Sequence, residues 1–189
     1  MSEPNTIRTH PAPIRPQGDV RAAIARAARA TGVDFNYLLA QAKIESSLDP
    51  AARAPTSSAA GLYQFTRSTW IDTLDRHGAD HGLGWADAAI EGGGLKDPAT
   101  RAQVMALRND PDASALMAAE LASDNRDALS AQLGRDPDAA ELYLAHFLGI
   151  GGASRFLSAL AADPAQSAAA LLPQAAGANR AIFYDGGAP

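Results

Sequence analysis

Residues 34–50 read DFNYLLAQAKIESSLDP, a pattern that predicts one amphipathic helix over 35–47. Asp34 is a favourable N-cap residue, and Pro50 marks the end of the helix. Apolar side chains recur at the spacing of a stripe that faces a protein core: Phe35, Leu38, Leu39 and Ala42. The helix is therefore expected to pack one face against the rest of the fold.

Glu45 lies on this apolar stripe, where a core residue is expected. It follows Leu38 by seven residues, a spacing that returns to within about 20° of the same direction. It also lies in the last turn, where the helix dipole disfavours a negative charge. Both effects favour the protonated carboxyl that a general acid requires. On spacing alone, a glutamate paired with an arginine, or one that leaves the core at a frayed helix end, fits equally well.

Helix signals continue along the rest of the chain. Asp-Pro occurs at 49–50, 97–98, 110–111, 136–137 and 163–164. Because aspartate caps a helix and proline fits its first turn, at least three of these pairs are expected to open helices. Further helices are predicted at 20–31, 67–77, 98–109, 112–132, 137–148, 153–162 and 164–172, with C-terminal glycines at Gly32, Gly78 and Gly134. Alternating β-branched runs are nearly missing, so we predict an all-α single domain with little or no β-sheet.

The composition is that of a folded domain. The chain has 189 residues, of which 47% are apolar and 20% charged, enough to bury a core. Cysteine is absent, which excludes disulfide scaffolds, zinc–thiolate sites and cysteine nucleophiles. The net charge of −5, without a run of lysines or arginines, argues against nucleic-acid binding. The histidines have no metal-ligand spacing, so no metal site is expected.

The two ends of the chain differ from its middle. Residues 1–18 are rich in proline and lack the apolar segment of a signal peptide, so a flexible arm is expected there. Residues 19–185 form the predicted domain, and 186–189 form a loose end that resembles a cut through a longer protein. No stretch approaches the roughly 20 apolar residues of a membrane span.

A second motif, GLYQF at 61–65, precedes a helix that starts near Thr66. Gln64 offers a donor and an acceptor, which suits an N-acetyl group or a sugar hydroxyl. Tyr63 and Phe65 offer rings that pack on a sugar. Taken alone, the pentapeptide is equally well explained by a turn with core aromatics.

The order and spacing of Glu45-Ser46, Pro50 and Gly61-Leu62-Tyr63-Gln64 resemble the lytic transglycosylases of the soluble, goose-lysozyme-like type. In that family Glu-Ser is followed by a short loop, then Gly-Leu-(Met or Tyr)-Gln, then a helix. The family's third motif is Ala-Tyr-Asn-x-Gly-x-Gly, and residues 145–151 here read AHFLGIG. The frame and both glycines match, whereas His146 and Phe147 replace the family's Tyr and Asn.

The resemblance implies a lysozyme-like, all-helical fold with a cleft for the glycan strands of peptidoglycan. Such enzymes cleave the β-1,4 bond between N-acetylmuramic acid and N-acetylglucosamine, and they form a 1,6-anhydro sugar without a metal or organic cofactor. One glutamate, here Glu45, acts first as acid and then as base. The substrate-binding residues carried over from the family, or offered in place of its residues, are Gln64, Tyr63, Ser57, Tyr143, His146, Phe147 and Tyr184.

The third motif leads to a specific expectation about Glu45. Tyr143 shares a helix face with Phe147, whereas His146 is rotated from Phe147 by about 100°. One of the two polar residues is expected to supply the contact beside Glu45. We expect the Tyr143 hydroxyl to lie nearer to the carboxylate than either ring nitrogen of His146.

Two other functions on the same fold stay open. A hydrolytic muramidase needs a second carboxylate about 5–5.5 Å away if it retains configuration, or about 6.5–9.5 Å away if it inverts. Asp87 and Glu91, in or beside a glycine-rich loop, are candidates for that role. A non-catalytic peptidoglycan-binding module of a flagellum or secretion apparatus is the third function, although such a module has no need of a carboxyl on an apolar face. The resemblance also implies a periplasmic protein, and a monomer is expected.

Overall fold

The computed structural model describes residues 17–184. The predicted flexible arm is outside this range except for its last two residues, which are helical because the first helix begins at Gln17. The loose end predicted at 186–189 also lies outside the described residues.

The described part of the chain is built from helices, as the sequence predicts. The longer ones are α1 (Gln17–Thr31), α2 (Phe35–Ser46), α3 (Arg67–His77), α5 (Pro98–Ala106), α6 (Pro111–Leu133) and α7 (Ala139–Ala162). Short helices are α4 (Gly84–Asp87), α8 (Ala168–Leu171), α9 (Pro173–Ala178) and α10 (Arg180–Phe183), with 3₁₀ turns at Ala79–His81 and Leu107–Asn109. The two strands, β1 (Ile90–Glu91) and β2 (Gly94–Leu95), form one small antiparallel hairpin. The all-α, lysozyme-like expectation is confirmed.

Helix starts follow capping chemistry, although fewer Asp-Pro pairs open helices than expected. Asp97 and Asp110 accept hydrogen bonds from the first-turn amides of α5 and α6, with proline in the next position. The expectation of at least three such pairs is wrong. Asp138, one residue after the fourth pair, caps α7, and Asp163 of the fifth pair ends that helix instead. Asp138 is the cap because its backbone amide donates a hydrogen bond to the Glu141 side chain, which completes a capping box.

Gly78 ends α3 without the left-handed backbone expected of a C-terminal glycine. Its φ is −59°, whereas Gly32 and Gly134 have φ of 75° and 68°. A Cβ at Gly78 would lie 2.6 Å from the Leu74 carbonyl oxygen. Glycine is needed there because the Leu74 carbonyl oxygen lies too close for a side chain, and not because the backbone has a positive φ.

Helix α6 runs through the middle of the fold and packs against α1, α3 and α7. The large core lies around α1, α2, α3 and the first half of α6, with Trp70 and Leu38 fully buried in it. A separate small core joins the second half of α6 to α7, through Leu129, Ala145, Ala153 and Leu157. The fold therefore has a large and a small hydrophobic core along one central helix.

Helix α7 spans two segments that the sequence predicts as separate helices. They are continuous except at Gly149, whose φ of 70° and ψ of 161° interrupt the helical backbone. By length and composition α7 is the one helix in the described range that could cross a membrane, which the sequence analysis did not anticipate. Those two properties are weak evidence, because core helices of soluble proteins also have them.

Candidate active site

Glu45 lies at the C-terminal end of α2, where the helix meets α7. Its side chain is 20% exposed. The helix ends immediately afterwards, because Ser47 and Leu48 adopt left-handed backbone conformations and their amides donate to the carbonyls of Lys43 and Ala42. This closed turn fixes the position of Glu45 at the rim of the large core.

Ser46 connects the end of α2 to the loop that carries the second motif. Its Oγ donates to the carbonyl oxygen of Leu62 at 2.8 Å and also lies 3.0 Å from that of Ala42. The contact joins residues that are far apart in the chain but adjacent in the fold. A serine directly after Glu45 therefore joins the GLYQF loop to the end of the helix that carries Glu45.

Two side chains of α7 approach the same oxygen of Glu45. The Tyr143 hydroxyl lies 3.4 Å from Oε1, and His146 Nε2 lies 3.4 Å from it as well. The expectation that Tyr143 lies nearer is not met, and neither is the expectation that one residue alone supplies the contact. Residues three apart on a helix differ by about 60° in direction, which lets both rings face one carboxylate.

Burial, and then the charge of Glu45, raise the pKa of Tyr143. The phenol therefore keeps its proton around neutral pH. It can donate that proton in a hydrogen bond to the carboxylate but does not act as a base there. Tyr143 is thus a neutral donor aimed at the acidic group.

Gln64 is held in the loop by its own side chain. Its φ is 48°, and its Nε2 donates to the carbonyl oxygens of Gly61 at 2.9 Å and Ala52 at 3.3 Å. Both amide protons are used within the loop. The amide oxygen is then the atom that remains for a ligand, and it can only accept a hydrogen bond.

Tyr63 and Phe65 lie in the core, which corrects the prediction that they pack on a sugar ring. Tyr63 is fully buried and its hydroxyl donates to the Leu38 carbonyl at 3.1 Å. Phe65 is 4% exposed and meets Trp70 edge to face. Both rings point into the core, whereas Gln64 between them is half-buried.

The other predicted binding residues are dispersed. Ser57 is exposed, and its Oγ accepts from the amide of Ala59 within the 51–60 loop. Tyr184 is half-buried, with the guanidinium of Arg180 lying 4.8 Å from its ring centre. The structure gives neither residue a contact with Glu45.

A cavity of about 600 Å³ opens beside His146, between α3, α6 and α7. Its polar lining includes Thr66, Thr69, Arg76, Asp124, Asn125 and His146. Phe147 lines it too, and together with Tyr143 it also lines a second, apolar cavity of about 350 Å³. Phe147 therefore lies between the two cavities.

Two residues near Glu45 escaped the sequence analysis. Burial, followed by Tyr143 and Glu45, raises the pKa of Tyr37 to about 12. Gln41 is 4% exposed, and its Oε1 has no hydrogen-bond partner. It precedes Glu45 by one helical turn, so a polar residue at that spacing on the buried face was visible in the sequence.

Of the two carboxylates considered for a hydrolase, Glu91 has another partner. Glu91 is exposed on β1 and forms an ion pair with Lys96 at 2.5 Å. Asp87 ends the short helix α4. Within residues 17–184, the polar side-chain contacts of Glu45 are those with Tyr143 and His146. In the same range no group of three or more histidine, aspartate or glutamate residues could hold a metal ion.

Residues 22–83 match the family model of the transglycosylase SLT domain. The match includes Glu45-Ser46 and the GLYQF loop, and it confirms the resemblance to soluble lytic transglycosylases. It supports a function on peptidoglycan of the lytic-transglycosylase type, and domains of this family are typically extracytoplasmic. The AHFLGIG motif at 145–151 lies outside the matched segment.

Proposed function

We propose that this protein is a lytic transglycosylase that cleaves the β-1,4 bond between N-acetylmuramic acid and N-acetylglucosamine in peptidoglycan. The observation that carries the proposal is the position of Glu45 in the matched segment, with Tyr143 and His146 both 3.4 Å from its Oε1. Ser46 supports it further, because it joins the Glu45 helix to the loop of Gln64.

In the first step Glu45 acts as a general acid. Because Tyr143 donates a hydrogen bond to Oε1 and His146 Nε2 also lies 3.4 Å from that oxygen, we assign the proton to Oε2. Oε2 gives this proton to the glycosidic oxygen as the bond from C1 of the muramoyl residue breaks. The glucosaminyl end leaves as an alcohol, and Glu45 becomes a carboxylate beside the positive charge that develops at C1.

In the second step the same carboxylate acts as a base. It takes the proton of the muramoyl 6-hydroxyl, whose oxygen forms the new bond to C1 and closes the 1,6-anhydro ring. No water is added, and Glu45 returns to its protonated form. One carboxyl group therefore completes the reaction, and Tyr143 and His146 on α7 stay beside it through both steps.

Gln64 and the cavity beside His146 are assigned to strand binding. The free amide oxygen of Gln64 accepts from an N–H or O–H group of the glycan, and Ser57, Phe147 and Tyr184 are further proposed contacts. The cavity beside His146, between α3, α6 and α7, is large enough for about one sugar residue with its substituents. The action on peptidoglycan makes the periplasm the proposed location.

Mass analysis of the digestion products tests the proposal. Purified peptidoglycan is incubated with the protein and with a Glu45→Gln variant, and the soluble muropeptides are analysed. Anhydro ends from the wild type alone support the proposal. Reducing ends would identify a hydrolytic muramidase, and unchanged glycan with retained binding would identify a binding module.

A further inference from the structure

Three arginines meet around the loop between α2 and α3. Arg108 is 8% exposed, and its guanidinium donates to the carbonyl oxygens of Ser58 at 2.7 Å and Phe65 at 3.0 Å. Ser58 Oγ in turn accepts from the amide of Arg67. Arg53 belongs to the same framework, because it forms a β-bridge with Ala60, which bridges to Phe65.

These three positive charges have no carboxylate partner in the part of the chain that the structure describes. Other arginines do form such pairs, including Arg26 with Asp112 and Arg135 with Glu141. Burial lowers the pKa of Arg108, and the charges of Arg53 and Arg67 lower it further. Because a guanidinium stays protonated in proteins, the result is a concentrated positive charge in a chain whose net charge is −5.

Two members of the arginine cluster are chain neighbours of residues at the proposed strand-binding site. The Gln64 side chain donates a hydrogen bond to the carbonyl oxygen of Ala52, the residue before Arg53. Thr66, the residue before Arg67, lines the cavity beside His146. Arg53 and Arg67 are exposed, whereas Arg108 lies beneath them. Arg53 and Arg67 are therefore the exposed charges that stand next in the chain to the contact of Gln64 and to Thr66.

We propose that Arg53 and Arg67, with Arg108 beneath them, bind a carboxylate of the peptide stem attached to the muramoyl residue. The inference rests on the proposed function. In the intact strand both sugars are neutral and the lactyl group is tied up in an amide, so the stem carboxylates are the anions that the substrate brings. Guanidinium groups match the planar geometry of a carboxylate and bind it with two parallel hydrogen bonds.

Strands that differ only in the charge of their stems test this site. Synthetic strands carrying stems with free carboxyls are compared with strands whose carboxyls are carboxamides. The double variant Arg53→Gln/Arg67→Gln is expected to lose about tenfold in kcat/KM on the free-carboxyl strands, the scale of two partly exposed charge contacts. It should match the wild type on the amidated strands.

A variant with the same charge loss elsewhere is the control. Arg21 and Arg29 are exposed on α1, and Arg21→Gln/Arg29→Gln should keep wild-type kcat/KM on both strands. An equal fall in this control would assign the effect to net charge and overturn the site. Wild-type kcat/KM of the double variant on free-carboxyl strands, or equal losses on both strands, would overturn it as well.

Binding to a Glu45→Gln protein separates this inference from the proposed reaction. In that background the strand is bound without turnover, and the arginine pair should still confer preference for free-carboxyl strands. Preference without anhydro products from the wild type would retain the site and refute the reaction. Anhydro products without any preference would retain the reaction and refute the site.

Discussion

Glu45 Oε1 receives two contacts from α7, and we expect the loss of both to cost more than the separate losses combined. Tyr143→Phe and His146→Phe each remove a polar atom and keep a ring of similar size. Both contacts measure 3.4 Å, the long end of hydrogen bonding. We therefore assign about 1 kcal/mol to each, below the usual range for a bond to a charged group. That value corresponds to a roughly fivefold fall in kcat for each single variant.

The double variant distinguishes a shared oxygen from two independent contacts. When one contact is missing, the other still holds the carboxyl group. The first substitution therefore lowers kcat by less than the second one does. With about 1 kcal/mol of coupling between neighbours, the double variant should fall roughly 100-fold in kcat, against about 25-fold for independent contacts.

The assay is the rate of anhydro-muropeptide release under saturating substrate, with thermal melts of all four proteins as the control for folding. A single variant with wild-type kcat would refute the role of that side chain. A double variant whose loss equals the product of the two single losses would refute the shared-oxygen explanation.

Three further outcomes follow from the site and its loop. Glu45→Gln should lower turnover at least about 10²- to 10⁴-fold, because the acid–base group is gone, and it should leave the circular dichroism spectrum unchanged. Activity comparable to the wild type would exclude Glu45 as the acid–base group. Gln64→Ala should raise KM, because binding weakens by no more than about 1–3 kcal/mol, and kcat should change less. An unchanged KM would contradict a role of Gln64 in binding. Gly61→Ala should destabilise the fold by roughly 2–5 kcal/mol in denaturant titration, since its φ is 82° and a Cβ would lie 1.8 Å from the Arg108 carbonyl oxygen; wild-type stability would mean that the loop relaxes freely.

The helices could be predicted because their signals are local. Asp34, Asp97 and Asp110 accept hydrogen bonds from amides within their own first turn, so a few neighbouring residues specify each start. The start of α7 differs from the prediction because two aspartates two residues apart compete, and the reciprocal bond from Glu141 decides between them.

The site was less predictable, because it depends on contacts between distant segments. Glu45 could be identified from its heptad spacing and from the motif that follows it. The inward direction of Tyr63 depends on the turn at Gly61 and on a bond to Leu38, which no local pattern encodes. The joint approach of Tyr143 and His146 depends on how α7 crosses the end of α2. The sequence analysis considered one helix face and therefore expected only one of them beside Glu45, whereas both lie beside it.

The division of the fold into two hydrophobic cores gives the protein two levels of stability. Glu45 lies at the rim of the large core, whereas Tyr143 and His146 lie on the helix of the small one, which has four buried residues in the described part of the chain. Segments with few buried contacts open locally at a lower free energy than the whole chain. Amides of α7 should therefore exchange with deuterium faster than those of α1 and the first half of α6. Heating would then separate Tyr143 and His146 from Glu45 while the large core is still intact. Activity would disappear several degrees below the main unfolding transition. For a domain of this size, such a shift corresponds to a difference of roughly 1 kcal/mol in stability between the two cores.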